Sequence, residues 1–349
     1  MLKPVLIALL LILPAVSVGD SHDIPAETGG QPAESAGQEA TTDVEAADGE
    51  TKESIADRHK RQVDTQVQRA SQWVDSFFSD PNYEAEVANS QLRIRPELYY
   101  RDQQGLKVRA KVSLRLMLPS VDHRVSLIAG SGVDDLNSND SVDDSDDDSV
   151  LGLQFFGKKF KGWHTSLSLG FKFNDFAFFV GPRVRYDHAF NDQSSYRFTQ
   201  TVRWQTNNYW QINSRLDLNH VFNDRFFFRQ TFDGRWRGED SAEEGYRTRV
   251  STFLTQRLEN MAGLQYEFST IFHTRPDTHV DRYTVAVRFR KQTWRDWFYY
   301  EIIPQVSFED EFDYTANPGI RLRVEIFYGA KKDERYWMRE LEDTGEFRW

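Results

Sequence analysis

The stretch LKVRAKVSLRLML, Leu106 to Leu118, sets the reading of the whole chain. Leu106, Val108, Ala110, Val112, Leu114, Leu116 and Leu118 are apolar. Lys107, Arg109, Lys111, Ser113 and Arg115 stand between them. Successive side chains of a strand point to opposite faces, so this period of two makes one face oily and the other cationic. The question is which face looks inward.

The same period recurs from Gln91 to Tyr328. It divides into fourteen segments: 91–101, 106–118, 124–131, 149–156, 163–173, 176–187, 195–206, 209–221, 225–237, 245–258, 261–273, 279–291, 296–309 and 319–328. In GIRLRVEIFY, Ile320, Leu322, Val324 and Ile326 oppose Arg321, Arg323 and Glu325. Most segments exceed the mean soluble strand and match the roughly 9–11 tilted residues that cross a bilayer. The even-numbered connections are all short. The odd-numbered ones include the long acidic loop 132–148.

Barrel diameter grows with strand number, and about eight strands already make an interior that side chains just fill. Fourteen leave too wide a lumen for apolar side chains to close. The apolar face must then point outward, which only lipid makes favourable, and closure pairs every backbone donor and acceptor. The competing reading is a soluble two-sheet sandwich or open sheet with an apolar core. Its weakness is the charge on the other face. That face carries Arg93, Arg95, Lys107, Arg109, Lys111, Arg115, Arg183, Arg185, Arg197, Arg203, Arg229, Arg247, Arg249, Arg288, Arg290, Arg321 and Arg323, against few acids: Glu97, Asp187, Asp217, Asp233, Glu267, Glu301 and Glu325. Placed toward lipid, each Lys or Arg costs about 2–4 kcal/mol near the midplane; placed in a wet lumen, it does not. A basic lumen attracts anions and repels cations. The excess must be met by water, small anions or another part of the chain.

Aromatic residues make up 14% of the chain. They crowd segment ends at Tyr99-Tyr100, Phe155-Phe156, Tyr209-Trp210, Phe226-Phe227-Phe228, Trp294 and Trp297-Phe298, as interfacial girdles do.

The ends of the chain differ from this patterned part. Residues 1–19 read as a secretory signal peptide: Lys3, an apolar run from Val5 to Val16, then Ser17-Val18-Gly19. Residues 20–51 read as a disordered acidic linker. Residues 52–80 read as one amphipathic helix with Val63, Val67, Ala70, Val74 and Phe77 on a stripe and Trp73 and Phe78 nearby, either a lumen plug or a periplasmic docking element for a partner protein. Residues 20–90 hold 16 acids and 5 bases, enough to carry the chain's whole net charge of −11. Residues 329–349 form a charged tail ending in Trp349. Cysteine is absent, which removes disulfides, thiol catalysis and thiolate metal sites.

Signal peptide, alternating segments and loop asymmetry together resemble the Gram-negative outer-membrane β-barrel class, over residues 91–328. The resemblance implies an all-β, transmembrane, antiparallel up-and-down barrel of about 14 strands, with 12 or 16 as alternatives. It implies outer-membrane lipid, lipopolysaccharide and the barrel-assembly machinery as partners, and a periplasmic N-terminal region. Arginine-lined porins for acidic oligosaccharides look similar in lumen charge. The expectation is an anion-preferring passive channel for acidic solutes or acidic polymer, or else a plugged structural barrel.

Other chemistry is weakly signalled. Asp143, Asp144, Asp146, Asp147 and Asp148 lie in a loop that could bind Ca²⁺ but lacks the spacing of a calcium loop. Trp163-His164-Thr165-Ser166 is the one hint of an outer-membrane lipid hydrolase, and the alternation turns its His inward. The other histidines show no metal-ligand spacing. No cofactor is called for, and nucleic-acid binding is disfavoured because the arginines face inward.

Overall fold

The computed structural model describes residues 66–78, 90–118, 125–131, 149–157, 162–174, 176–207, 209–238, 245–295 and 297–329. The segments read as signal peptide and acidic linker, the loop at 132–148 and the tail beyond Gly329 lie outside them.

One α-helix and fourteen strands are present among the described residues, besides one short 3-10 turn (Asp310–Phe312). They are α1 (Gln66–Phe77), β1 (Gln91–Arg101), β2 (Gly105–Met117), β3 (Val125–Ser131), β4 (Ser149–Phe156), β5 (Trp163–Lys172), β6 (Ala177–Ala189) and β7 (Ser194–Gln205). There follow β8 (Tyr209–Asn223), β9 (Phe226–Arg237), β10 (Tyr246–Leu258), β11 (Ala262–His273), β12 (His279–Gln292), β13 (Phe298–Glu309) and β14 (Ala316–Gly329). Each strand pairs antiparallel with its sequence neighbours, and β1 closes the barrel on β14. The count is 14, not 12 or 16. The last strand begins at Ala316, three residues earlier than its alternation suggests, because Asn317 and Gly319 continue the ladder onto β13 without contributing to the apolar pattern.

Closure follows from cross-strand register. Glu97 on β1 lies between Arg109 of β2 and Arg323 of β14, so opposite charges meet across both ladders. The two faces then separate. Leu98, Tyr100, Val108, Val112, Leu116, Leu322 and their like are exposed on the outside. Arg93, Arg95, Glu97, Arg115, Arg183, Arg290 and Glu325 are buried on the inside. A polar interior under an apolar exterior reverses a soluble core, and it excludes the sandwich. Such a surface is stable in lipid, where the strands satisfy every backbone group internally.

The strand connections define two ends. At the proximal end β1 begins, β14 finishes, and the even-numbered turns lie. At the distal end lie the odd-numbered connections. The single glycine whose place is decided by α1 is Gly263: a Cβ there would stand 3.0 Å from the rings of both Phe77 and Phe78. Its missing side chain makes room for the helix against β11.

Candidate functional site: the charged lumen and its helix

Helix α1 forms because its apolar residues recur at three- and four-residue spacing. Val67, Ala70, Trp73, Val74 and Phe77, with Phe78 beyond its end, are all buried. Val63 lies outside the described residues. The stripe is covered by the barrel's own interior. Val221 of β8, Phe227 of β9, Tyr299 of β13 and Phe327 of β14 join it in one apolar cluster. Trp73 stacks on Phe77 at 4.7 Å, and Phe77 meets Tyr299 edge-on at 6.1 Å. Arg257 of β10 lies over Trp73, and Arg290 of β12 over Phe77. Arg288 Nη2 donates to the Phe78 carbonyl at 3.1 Å. The Val67 amide donates to Asp192 O in the β6–β7 turn at 2.9 Å. Strands from β7 to β14 all touch this segment, so α1 sits inside the barrel. Most of its partners lie near the proximal ends of their strands.

The helix also brings a charge. Asp75 is wholly buried. Arg229 Nη1 donates to its Oδ1 at 2.5 Å, and Arg197 Nη1 to its Oδ2 at 2.9 Å. Arg229 Nη2 also donates to Ser71 Oγ, one turn earlier, at 2.9 Å. Burial pushes the Asp75 carboxyl upward. Arg229 and then Arg197 outweigh that and hold it down at about 2. Sequence reasoning matched the acidic leader to the basic lumen in bulk, but it did not single out Asp75.

The lumen wall is a set of carboxylates each shared by several arginines. Glu301 on β13 receives Arg288 at 2.9 Å, Arg323 at 3.2 Å, and Arg290. Glu325 on β14 receives Arg290 at 2.5 Å and Arg93 and Arg95 at 3.0 Å each. Arg323 also reaches Glu97 at 3.2 Å. Glu309, which the sequence reading did not single out, binds Arg101 at 2.6 Å and Arg282 at 3.4 Å. Across the barrel, Asp187 binds Arg185 at 2.8 Å and Arg197 at 2.7 Å. Charged groups so placed avoid the desolvation cost of an isolated buried ion, because each carboxylate is multiply hydrogen-bonded.

All seventeen predicted lumen residues lie on this inner face by strand alternation. They differ in depth. Arg93, Arg95, Arg115, Arg183, Arg185, Arg203, Arg229, Arg249, Arg288, Arg290, Arg321 and Arg323 are buried; Arg109, Lys111, Arg197 and Arg247 are half-buried, and Lys107 is exposed at the distal rim. Basic side chains outnumber acidic ones on this face by more than two to one.

The aromatic reading divides by strand face. Tyr100, Phe155, Trp210 and Trp297 lie outside, as a girdle requires. Tyr99 and Phe227 do not. Tyr99 is buried in the lumen, with Arg101 and Arg321 stacked on its ring at 4.9 and 4.6 Å, and Phe227 packs on α1. A run of adjacent aromatics puts alternate rings on opposite faces, so it cannot serve one belt alone. His164 faces the lumen, as its parity predicts, beside Arg185 at 3.5 Å and Asp187 at 3.6 Å.

Histidines with no metal-like spacing in sequence do converge. Among the described residues, His273, His279 and Asp281 offer ligand atoms that all lie within 4.8 Å of one another.

A closed fourteen-strand barrel, apolar outside and charged inside, decides the class. The chain folds as a transmembrane-type β-barrel. No family model matches it, and neither does any curated protein. Among solved structures it is similar to the KdgM porin in complex with disordered oligogalacturonate, at 10% identity and a TM-score of 0.35, over 68% of this chain and 98% of that one. It is similar to the CymD monoaromatic hydrocarbon channel at 8% identity and a TM-score of 0.45, over 74% and 93%. It is similar to an anion-selective porin from Comamonas acidovorans at 8% identity and a TM-score of 0.43, over 69% and 99%. The barrel stands on this chain's own strand pairing, and no residue role is carried over from these structures.

Proposed function

We propose that this barrel is a passive, anion-preferring channel of the Gram-negative outer membrane, taking acidic solutes or acidic polymer past α1, which is seated toward the proximal, periplasmic end. The lumen charge carries the reading. The acids on the wall are few, and Glu301 and Glu325 are each already shared by three arginines. A wall with so many more cations than anions holds a positive potential that draws anions in and raises the barrier to cations. Arg183, Arg203, Arg115 and Lys111, on β2, β6 and β7, line the side of the lumen away from most of the helix partners.

A second reading has its own observation. Asp75 is fully buried between two arginines, and the stripe of α1 is fully covered, which favours a barrel held shut by its own chain and serving as a structural or docking element. Planar-bilayer current under a salt gradient separates the two. The intact chain is compared with one lacking residues 20–90. Anion-selective current in the intact chain supports an open channel beside the helix. Current only after truncation makes α1 a gate. Absence of current in both, from verified folded barrel, sinks the channel reading.

A further inference from the structure

We propose that His273, His279 and Asp281 form a binding site for a divalent transition metal at the distal mouth of the barrel. The β11–β12 hairpin places His273 directly opposite His279. A shift in register between Ile271 and Phe272 then pairs Ile271 with Arg282 and Phe272 with Val280, so Asp281 has no cross-strand partner of its own. An extra residue of this kind re-aims a side chain. Here it turns the Asp281 carboxylate toward the two imidazoles.

The distances suit a metal. Asp281 Oδ1 lies 2.5 Å from His273 Nδ1 and 3.5 Å from His279 Nε2. Ligand atoms bound tetrahedrally at about 2.0 Å sit about 3.3 Å apart, within small rotamer adjustments of this arrangement. Asp281 Oδ1 is closed off from solvent and accepts no hydrogen bond of normal geometry among the described residues. Three ligand-type atoms therefore converge, with Asp281 Oδ1 in ion-pair range of both imidazoles and in a regular hydrogen bond with neither. Asp310, in the β13–β14 connection, brings Oδ2 to 3.9 Å from His279 Nε2 but lies outside the converging set, so water completes the coordination.

Two imidazole nitrogens with carboxylate oxygens select Zn²⁺, Cu²⁺ or Ni²⁺. Ca²⁺ and Mg²⁺ prefer sites made of oxygen alone. A bound metal would pin the β11–β12 hairpin at the barrel's distal rim. The site does not depend on whether the lumen conducts.

The test is a Co²⁺ titration of the full-length, untagged barrel in detergent, followed by visible absorption. The expected result is a band saturating near one equivalent, removed by Zn²⁺ and untouched by Ca²⁺. His273→Ala and His279→Ala should each weaken binding at least about tenfold, and Asp281→Asn should do so where an alanine variant fails to fold. Retained heat-modifiable migration verifies folding. No band, a band unchanged in the His273→Ala/His279→Ala pair, or displacement by Ca²⁺ as readily as by Zn²⁺ would each overturn the site; the last points to an all-oxygen acidic cluster elsewhere. Absence of the band would also leave the histidines as ion-pair partners of Asp281 only.

Discussion

Asp75 of the lumen helix is bound by Arg229 of β9 through Oδ1, while Arg197 of β7 takes its other oxygen. The carboxylate stands between two guanidiniums from different strands. The helix thus satisfies part of the wall's positive excess from within the chain.

Removing that carboxylate should loosen the helix. Asp75→Asn keeps the shape and removes the charge, and a hydrogen bond to a charged group is worth about 1.5–3 kcal/mol. The expected outcome is faster protease cleavage near residues 66–78 and larger or more frequent channel openings. Unchanged cleavage and unchanged current would mean that the apolar stripe alone holds α1.

The same ion cluster fixes a pH dependence. The docked Asp75 carboxyl is held down at about 2, below its ordinary 3.8. A depressed carboxyl stabilises docking fully above the ordinary value, and that contribution, about 2 kcal/mol, is lost as pH falls from about 4 through about 2. Helix protection should therefore be flat from pH 8 to about 5 and decline below about 4. In Asp75→Asn this step should be missing from the protease-protection curve.

Gly263 offers a steric test of the same contact. A Cβ there meets the Phe77 and Phe78 rings at 3.0 Å. Gly263→Val should displace the helix from β11 while leaving the barrel closed, read as retained heat-modifiable migration with increased current. If current and helix protection both stay at their original level, the ring contacts do not position α1.

The face assignment is open to a paired substitution on β2. Val112 faces outward and Ser113 inward. Val112→Arg should impair membrane insertion, since the charge costs about 2–4 kcal/mol against lipid near the midplane. Ser113→Arg should insert normally. Equal effects would undo the assignment of apolar exterior and polar lumen.

Selectivity should move in both directions. Glu301 is shared by Arg288, Arg290 and Arg323, so Glu301→Gln leaves three cations with less compensation. Its reversal potential should become more anion-selective, at a stability loss of about 3–5 kcal/mol seen in the unfolding midpoint. Arg203→Glu, whose guanidinium lies over Phe179 at 4.4 Å, should shift the reversal potential the other way.

The alternation in LKVRAKVSLRLML was sufficient for strand type and, repeated along the chain, for a face assignment and a count of about 14 that closure of the barrel then settled. Pleating makes side chains alternate within a single strand, so this information is local. The stripe of α1 was equally legible, because helical period is local too. Parity placed each arginine inside, yet it could not say that Arg288, Arg290 and Arg323 would share Glu301, or that Tyr99 would carry two guanidiniums on its ring.

Those relationships belong to closure and register. Arg323 reaches Glu97, 226 positions away in sequence, only because β14 closes on β1. Asp75 meets Arg229 only because a helix with no exterior surface to cover enters the lumen, where Gly263 leaves it room. His273 and His279 face each other because a hairpin aligns them, and Asp281 joins them because one residue falls out of register. The sequence by itself determined the barrel and the sign of its interior, since both follow from period and composition. Which charges meet, which rings turn inward and which histidines converge were decided by the tertiary structure, because contacts across a closed sheet depend on where distant strands stop relative to one another.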